Sequence, residues 1–203
     1  MSSASIYPLE TVESRLVRLF REATQEQQVL GLSWYSAAHN LLEVLALNTG
    51  VNIRTVCGIC AALSPGSEWN RNIRDTQTFL ENQNALVGVY GRGNRIKAQR
   101  ILDGEDPLDV LGTNPRFPKT RSFFLNIAYP AQDLAITIDR HIKCAAYNIT
   151  EDRDKNSIVS VKERIVIEES IRAIAKHYGL LPHQVQAVIW LIWKSKVEKG
   201  TQQ

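Results

Sequence analysis

The residue whose type and setting most suggest chemistry is Asp139. It stands in Thr137-Ile-Asp-Arg-His141, after the apolar, β-branched run 134–138 and before a helical pattern. A carboxylate fixed on such an element can steady positive charge on a substrate or take a proton from an attacking water. Asp is also a good helix N-cap, and the two roles are compatible. His141, two residues on, points elsewhere on a helix and suits packing or a phosphate contact better than general base catalysis. Lys119 follows Pro118 and opens another helical run. It is either a solvated first-turn lysine or a nucleophile, and an amine attacks carbon only when neutral.

Other groups are weaker. Cys57-x-x-Cys60 and His141-x-x-Cys144 have the residue types of a tetrahedral metal site. Both pairs sit in apolar helical runs, where free cysteine is an ordinary buried residue, so no metal and no cofactor are expected. The glycine-rich stretch Gly88-Val-Tyr-Gly-Arg-Gly-Asn94 has no preceding strand and no phosphate-loop lysine. It suits a backbone phosphate contact better than a nucleotide site. Trp69 follows the Pro65-Gly66 break and precedes Asn70, a place from which an indole could wedge into a duplex or pack. Trp190 and Trp193 fall among Val185, Val188 and Ile189 at helical spacing and read as core. Lys194, Lys196 and Lys199 read as a solvated face.

The elements that must position these residues are helices throughout. Apolar residues at 3–4 spacing mark a first helix over 9–23, and Ser33 is the expected cap of a second that ends at Gly50. Asn52 starts an almost wholly apolar third helix, Ile53 to Leu63, expected to be central. A polar helix over 68–81, a basic one over 95–102 and a short turn opened by Asp106-Pro107 follow. Further helices are expected over 119–128, 140–148, 159–178 and 182–198. Residues 113–118 form a proline-punctuated loop, and polar residues 151–157 form a connector. Strand signals are poor, because the run 134–138 has no partner. The expectation is an all-α irregular globule of about ten short helices, with two helical lobes flanking a cleft, in one domain over 1–203.

Bulk composition fits. Hydrophobic residues make up 44% of the 203 and charged residues 22%, which excludes a disordered chain, and the net charge of +3 permits nucleic-acid binding without demanding it. Three cysteines, and a first stretch lacking the basic start and apolar run of a leader, point to a reduced intracellular setting, cytoplasmic or nucleoid-associated. No apolar run is long enough to span a bilayer.

Three segments in order resemble the helix-hairpin-helix DNA glycosylases, endonuclease III-like enzymes among them. The first is Ala61-Ala-Leu-Ser-Pro-Gly-Ser-Glu-Trp-Asn-Arg-Asn72, similar to the buried helix ending in Leu-Ser and the Asn-containing helix after it. The second is Asn94-Arg-Ile-Lys-Ala-Gln-Arg-Ile101, which resembles the Lys-Ala-x-x-Ile helix before the hairpin. The third joins Lys119-Thr120, Leu125-Asn126 and Asp139-x-His141-Ile142, which match the Lys-Thr, Leu-Asn and Asp-x-His-Ile pattern. The resemblance runs over 61–147. The chain departs from the family at the hairpin: Asn114-Pro-Arg-Phe-Pro-Lys119 has no glycine where the family carries Leu-Pro-Gly-x-Gly. The four-cysteine iron–sulfur loop is absent from the sequence.

The resemblance implies base excision from DNA with base flipping, Asp139 as catalytic carboxylate and Lys119 as possible imine-forming amine for a lyase step. It implies a DNA-contacting set of Ser64, Trp69, Asn70, Arg92, Asn94, Lys97, Arg140 and His141. The partner is then DNA, bound by a monomer away from membranes. The alternatives are a catalytically inactive helical DNA-binding module, a DNA base hypermodification enzyme on the same core, and an interaction protein with no nucleic-acid role.

Overall fold

Caps and hydrophobic spacing divide the chain into helices whose ends are chemically marked. The structure, a computed structural model, describes residues 10–89, 91–112, 119–149 and 158–200. Among these residues it is all-α, with ten helices. They are α1 (Val12–Arg21), α2 (Gln25–Thr49), α3 (Ile53–Leu63), α4 (Trp69–Glu81) and α5 (Arg92–Leu102), then α6 (Pro107–Val110), α7 (Lys119–Ala128), α8 (Arg140–Tyr147), α9 (Val161–Tyr178) and α10 (Pro182–Glu198). The expected loop 113–118 and connector 151–157 lie outside the described residues.

Several boundaries differ from the sequence reading, beginning with the first helix, which Thr11 caps so that it runs over Val12–Arg21 rather than 9–23. Ser33 caps nothing: α2 starts at Gln25, where Thr24 and Gln27 form a reciprocal capping box. Ser33 lies inside the helix and returns its hydroxyl proton to the Val29 carbonyl at 2.7 Å, so a polar residue with capping habits is absorbed without a break. At 25 residues, α2 is also no short helix. α5 begins at Arg92 rather than Arg95, because Gly91 takes φ 57° and ψ −120°, a turn that L side chains rarely adopt. Ser160 caps α9 in a second box with Glu163, so that helix starts at Val161.

The helices enclose two hydrophobic cores. The first is built around α3, whose residues from Val56 to Leu63 are all buried, and is completed by α2, α4, α5, α6 and α7. The second joins α1, α8, α9 and α10. α2 and α10 pack along each other and tie the two together. A Cβ on Gly31 of α2 would lie 2.6 Å from the Val188 Cα of α10, so only glycine lets the helices approach this closely.

A short extended segment crosses between the lobes. Its side chains alternate, as extended backbone requires. Ile136 and Ile138 are buried in the second core, while Ala135 packs on the first. Thr137 also faces the first lobe and accepts a hydrogen bond from Asn126 Nδ2 of α7 at 3.0 Å. The two buried isoleucines stabilise this placement by roughly 1.5–3 kcal/mol each. The next residue is Asp139.

Candidate active site

Asp139 caps α8. Its Oδ1 accepts the Ile142 backbone N–H at 3.0 Å, and its Oδ2 accepts the Trp190 indole N–H at 3.3 Å. One oxygen is thus fixed by its own helix and the other by α10, while the preceding residues are pinned to both cores. The carboxylate lines a cavity of about 650 Å³ between the lobes, within the span of about 300–1,000 Å³ usual for ligand sites.

The walls are aromatic. Trp34, Trp69 and Phe123 come from three helices of the first lobe, with ring centroids 5.1 Å apart for the two indoles and 6.5 Å for Trp69 and Phe123. Trp190 faces in from α10, with His141 edge-on to it at 6.0 Å. Deeper, the polar groups are tied to one another. The buried Tyr35 hydroxyl donates to Gln186 Oε1 at 2.6 Å. Burial pushes the Tyr35 phenol up to about 12; hydrogen bonds to Thr137 and Asn126 oppose this, and the nearby Asp139 charge adds to it. Tyr35 is therefore a neutral donor at any physiological pH. Asn72 also lines the cavity, its amide nitrogen donating to the Cys60 carbonyl at 3.1 Å. Beneath this layer, buried His183 stands edge-on to Tyr35 and donates from Nε2 to the Pro130 carbonyl at 3.0 Å.

Lys119, the exposed first residue of α7, lines the same cavity as Asp139, as do Ser64, Trp69, Arg140 and His141. His141 therefore does not point away from the site, as its spacing from Asp139 suggested. The rest of the expected DNA-contacting set is elsewhere. Asn70 is exposed on α4 and does not line the cavity, and Arg92, Asn94 and Lys97 sit on α5, which packs on α3 and α6. Cys57 and Cys60 belong to the first core and Cys144 to the second, so the four residues considered for a metal do not converge.

Sequence reasoning missed Trp34, Gln186, Trp190 and Lys194 as lining residues. The signal for three of them was present. Gln186, Trp190 and Lys194 recur at i, i+4 and i+8 along α10, one stripe of a helix, but the surrounding valines and isoleucines made that helix read as core and solvated tail.

Such a site can hold a flat ring between aromatic faces and present a fixed carboxylate to it. Among the described residues, no single helix is long and apolar enough to cross a membrane. No curated protein matches the chain, and no solved structure matches it. A family model does match, over residues 2–197, and the chain belongs to that family, DUF7178, a family of unknown function.

Proposed function

We propose that this protein is a DNA base-excision glycosylase of the helix-hairpin-helix type, with a rebuilt hairpin. The observation that carries the reading is the meeting of Asp139 and Lys119, matched to the family by sequence order alone, in one aromatic-walled cavity. A nucleotide turned out of the duplex enters between the lobes, its base against Trp34, Trp69 and Phe123. The bond from C1′ to the base nitrogen breaks, and its electron pair leaves with the base. Positive charge then develops on the sugar, and the Asp139 carboxylate stabilises it. In the hydrolytic route a water oxygen forms the new bond to C1′ and passes its proton to Asp139. In the lyase route the Lys119 nitrogen, having given its ammonium proton to solvent, bonds to C1′ instead, and opening of the sugar ring leaves an imine. The hydrogen bonds that fix Asp139 support the reading, because a carboxylate positioned in advance needs no reorganisation when charge appears.

The test is a panel of duplexes, each carrying one altered or mispaired base, scored for release of the free base. Release of at least one, dependent on Asp139, is expected. A protein that binds an abasic-site duplex with a steep salt dependence but releases none of the panel would be a DNA-binding module without this chemistry.

A further inference from the structure

Lys194 is the cavity residue whose surroundings the chemistry above leaves unused. Among the described residues it lines the cavity with Lys119, Arg140 and Arg164, and the carboxylates are Asp139 and Glu68. Lys194 thus sets a cation beside walls made for a flat ring, which favours a ligand both aromatic and anionic. The Lys194 ammonium lies 4.9 Å from the centroid of the Trp190 ring, 3.4 Å from Glu68 Oε2 and 4.0 Å from Glu198 Oε1. The same indole donates to Asp139, so the lysine is seated on the residue that holds the carboxylate.

Glu68 belongs to the other lobe. It stands at the N-cap position of α4, yet its side chain makes no capping hydrogen bond and goes instead to Lys194. The pair thus joins the second lobe to the first beside the cavity both residues line. Its two ends are unequal: the Lys194 side chain is 22% exposed and that of Glu68 is 83% exposed. The cation is seated and the anion is loose, so the anion is the member a ligand can replace.

We propose that Lys194 holds a phosphate at the mouth of the cavity, and that Glu68 occupies its ammonium until such a ligand displaces it. The identity of the ligand as DNA rests on the function proposed above; its anionic, aromatic character rests on the lining. Because an ion pair this exposed is weak, displacement of Glu68 opposes binding by no more than about fivefold.

The experiment measures binding of a duplex with a tetrahydrofuran abasic analogue at several salt concentrations. It compares the wild type with Lys194→Gln, Glu68→Gln, the double variant, and Glu105→Gln as a charge control. Glu105 pairs with Arg100 and does not line the cavity. Glu68→Gln is expected to tighten binding by up to about fivefold, well beyond the control. Lys194→Gln should weaken binding and lower the salt slope by about 1. In the Lys194→Gln background the gain from Glu68→Gln should shrink to that of the control. A gain that persists there, or one no larger than the control's, overturns the proposal. A second arm titrates tryptophan fluorescence with deoxyuridine 5′-monophosphate and with deoxyuridine. The nucleotide's advantage over the nucleoside should vanish in Lys194→Gln and grow in Glu68→Gln. That pattern without duplex binding refutes the DNA reading and leaves the phosphate site standing, whereas no advantage in the wild type refutes the phosphate site.

Discussion

Replacing Asp139 by Asn separates the capping role its geometry shows from the catalytic role proposed for it. Asn ranks with Asp as an N-cap, and its single oxygen can keep the 3.0 Å bond to the Ile142 N–H. The amide nitrogen then faces the Trp190 indole N–H across what is now a 3.3 Å acceptor contact, donor against donor. A fully buried orphan costs about 1–3 kcal/mol, and Trp190 is only partly buried, so the low end applies. For a chain of this size about 1 kcal/mol lowers the melting temperature by roughly 2–4 °C. Loss of the carboxylate should slow base release by roughly 100- to 10,000-fold, or about 2.7–5.5 kcal/mol of barrier. Activity must therefore fall far more than stability. The assay pairs single-turnover base release with thermal melting, on Asp139→Asn and on Asp139→Ala. The alanine variant should lose about 1 kcal/mol more stability, because the cap goes too, but no more activity. Base release by Asp139→Asn within about threefold of wild type would refute the catalytic assignment. A fall in melting temperature of more than about 10 °C would show that the carboxylate's structural role is the larger one.

Other measurements probe the surroundings. If Lys119 supplies the amine, borohydride should trap a protein–DNA adduct that disappears in Lys119→Ala; turnover with no adduct in either protein means water is the nucleophile, and an adduct that survives means another amine is. Gly31→Ala should destabilise the fold by about 1–3 kcal/mol, because the new methyl meets the Val188 backbone at 2.6–2.8 Å. A melting temperature within 1 °C or so of wild type would show that α2 and α10 separate freely. His183 is held below its ordinary pKa of 6.5 by burial, against its bond to Pro130 and the charge of Asp133. The unfolded chain therefore binds the proton first, so the stability tied to neutral His183 is full above pH 6.5 and is lost as pH falls below it. Urea midpoints between pH 7.5 and 5 should decline in the wild type and decline less in His183→Gln. The lowered carboxyls of Glu10, Glu22 and Glu163 lose their contributions only below about 4.5, in a separate window.

Helix content was legible because local chemistry marks it. Asn52 before Ile53, Asp139 before Arg140 and Pro182 at the head of α10 each announce a helix start with their own hydrogen-bonding limits. Ser33 misled because its hydroxyl has two uses, capping or returning to the preceding turn, and only the stronger box at Thr24 and Gln27 decides between them. The site was half legible. Asp139 and Lys119 stand out by order and setting, but the Gln186, Trp190, Lys194 stripe does not by itself tell that α10 turns Trp190 toward Asp139 rather than into the core. That depends on which face of α10 meets α2, and the deciding contact, Gly31 against Val188, joins residues far apart in sequence. The place of the α5 cations relative to the cavity was not legible either. A glycine turn and exposed positive charge suit a phosphate anywhere on a surface, and only the tertiary arrangement shows that α5 packs away from the cavity.

That same arrangement limits how a ligand can enter. The side of the cavity formed by α2 and α10 is held where Gly31 permits backbone contact. The side that carries Asp139 is held by residues 135–138, whose alternate side chains are anchored in both cores. Moving either side disrupts buried apolar contacts worth several kcal/mol in all. The segment 64–68 between α3 and α4 is different: half-exposed or exposed throughout, it is joined to the opposite lobe by the weak Glu68–Lys194 pair. On the proposed function, access by yielding of this segment is expected to cost the least and to leave Asp139 in place. The Asp139 carboxylate is then fixed before a ligand arrives, as the proposed stabilisation of a developing sugar cation requires.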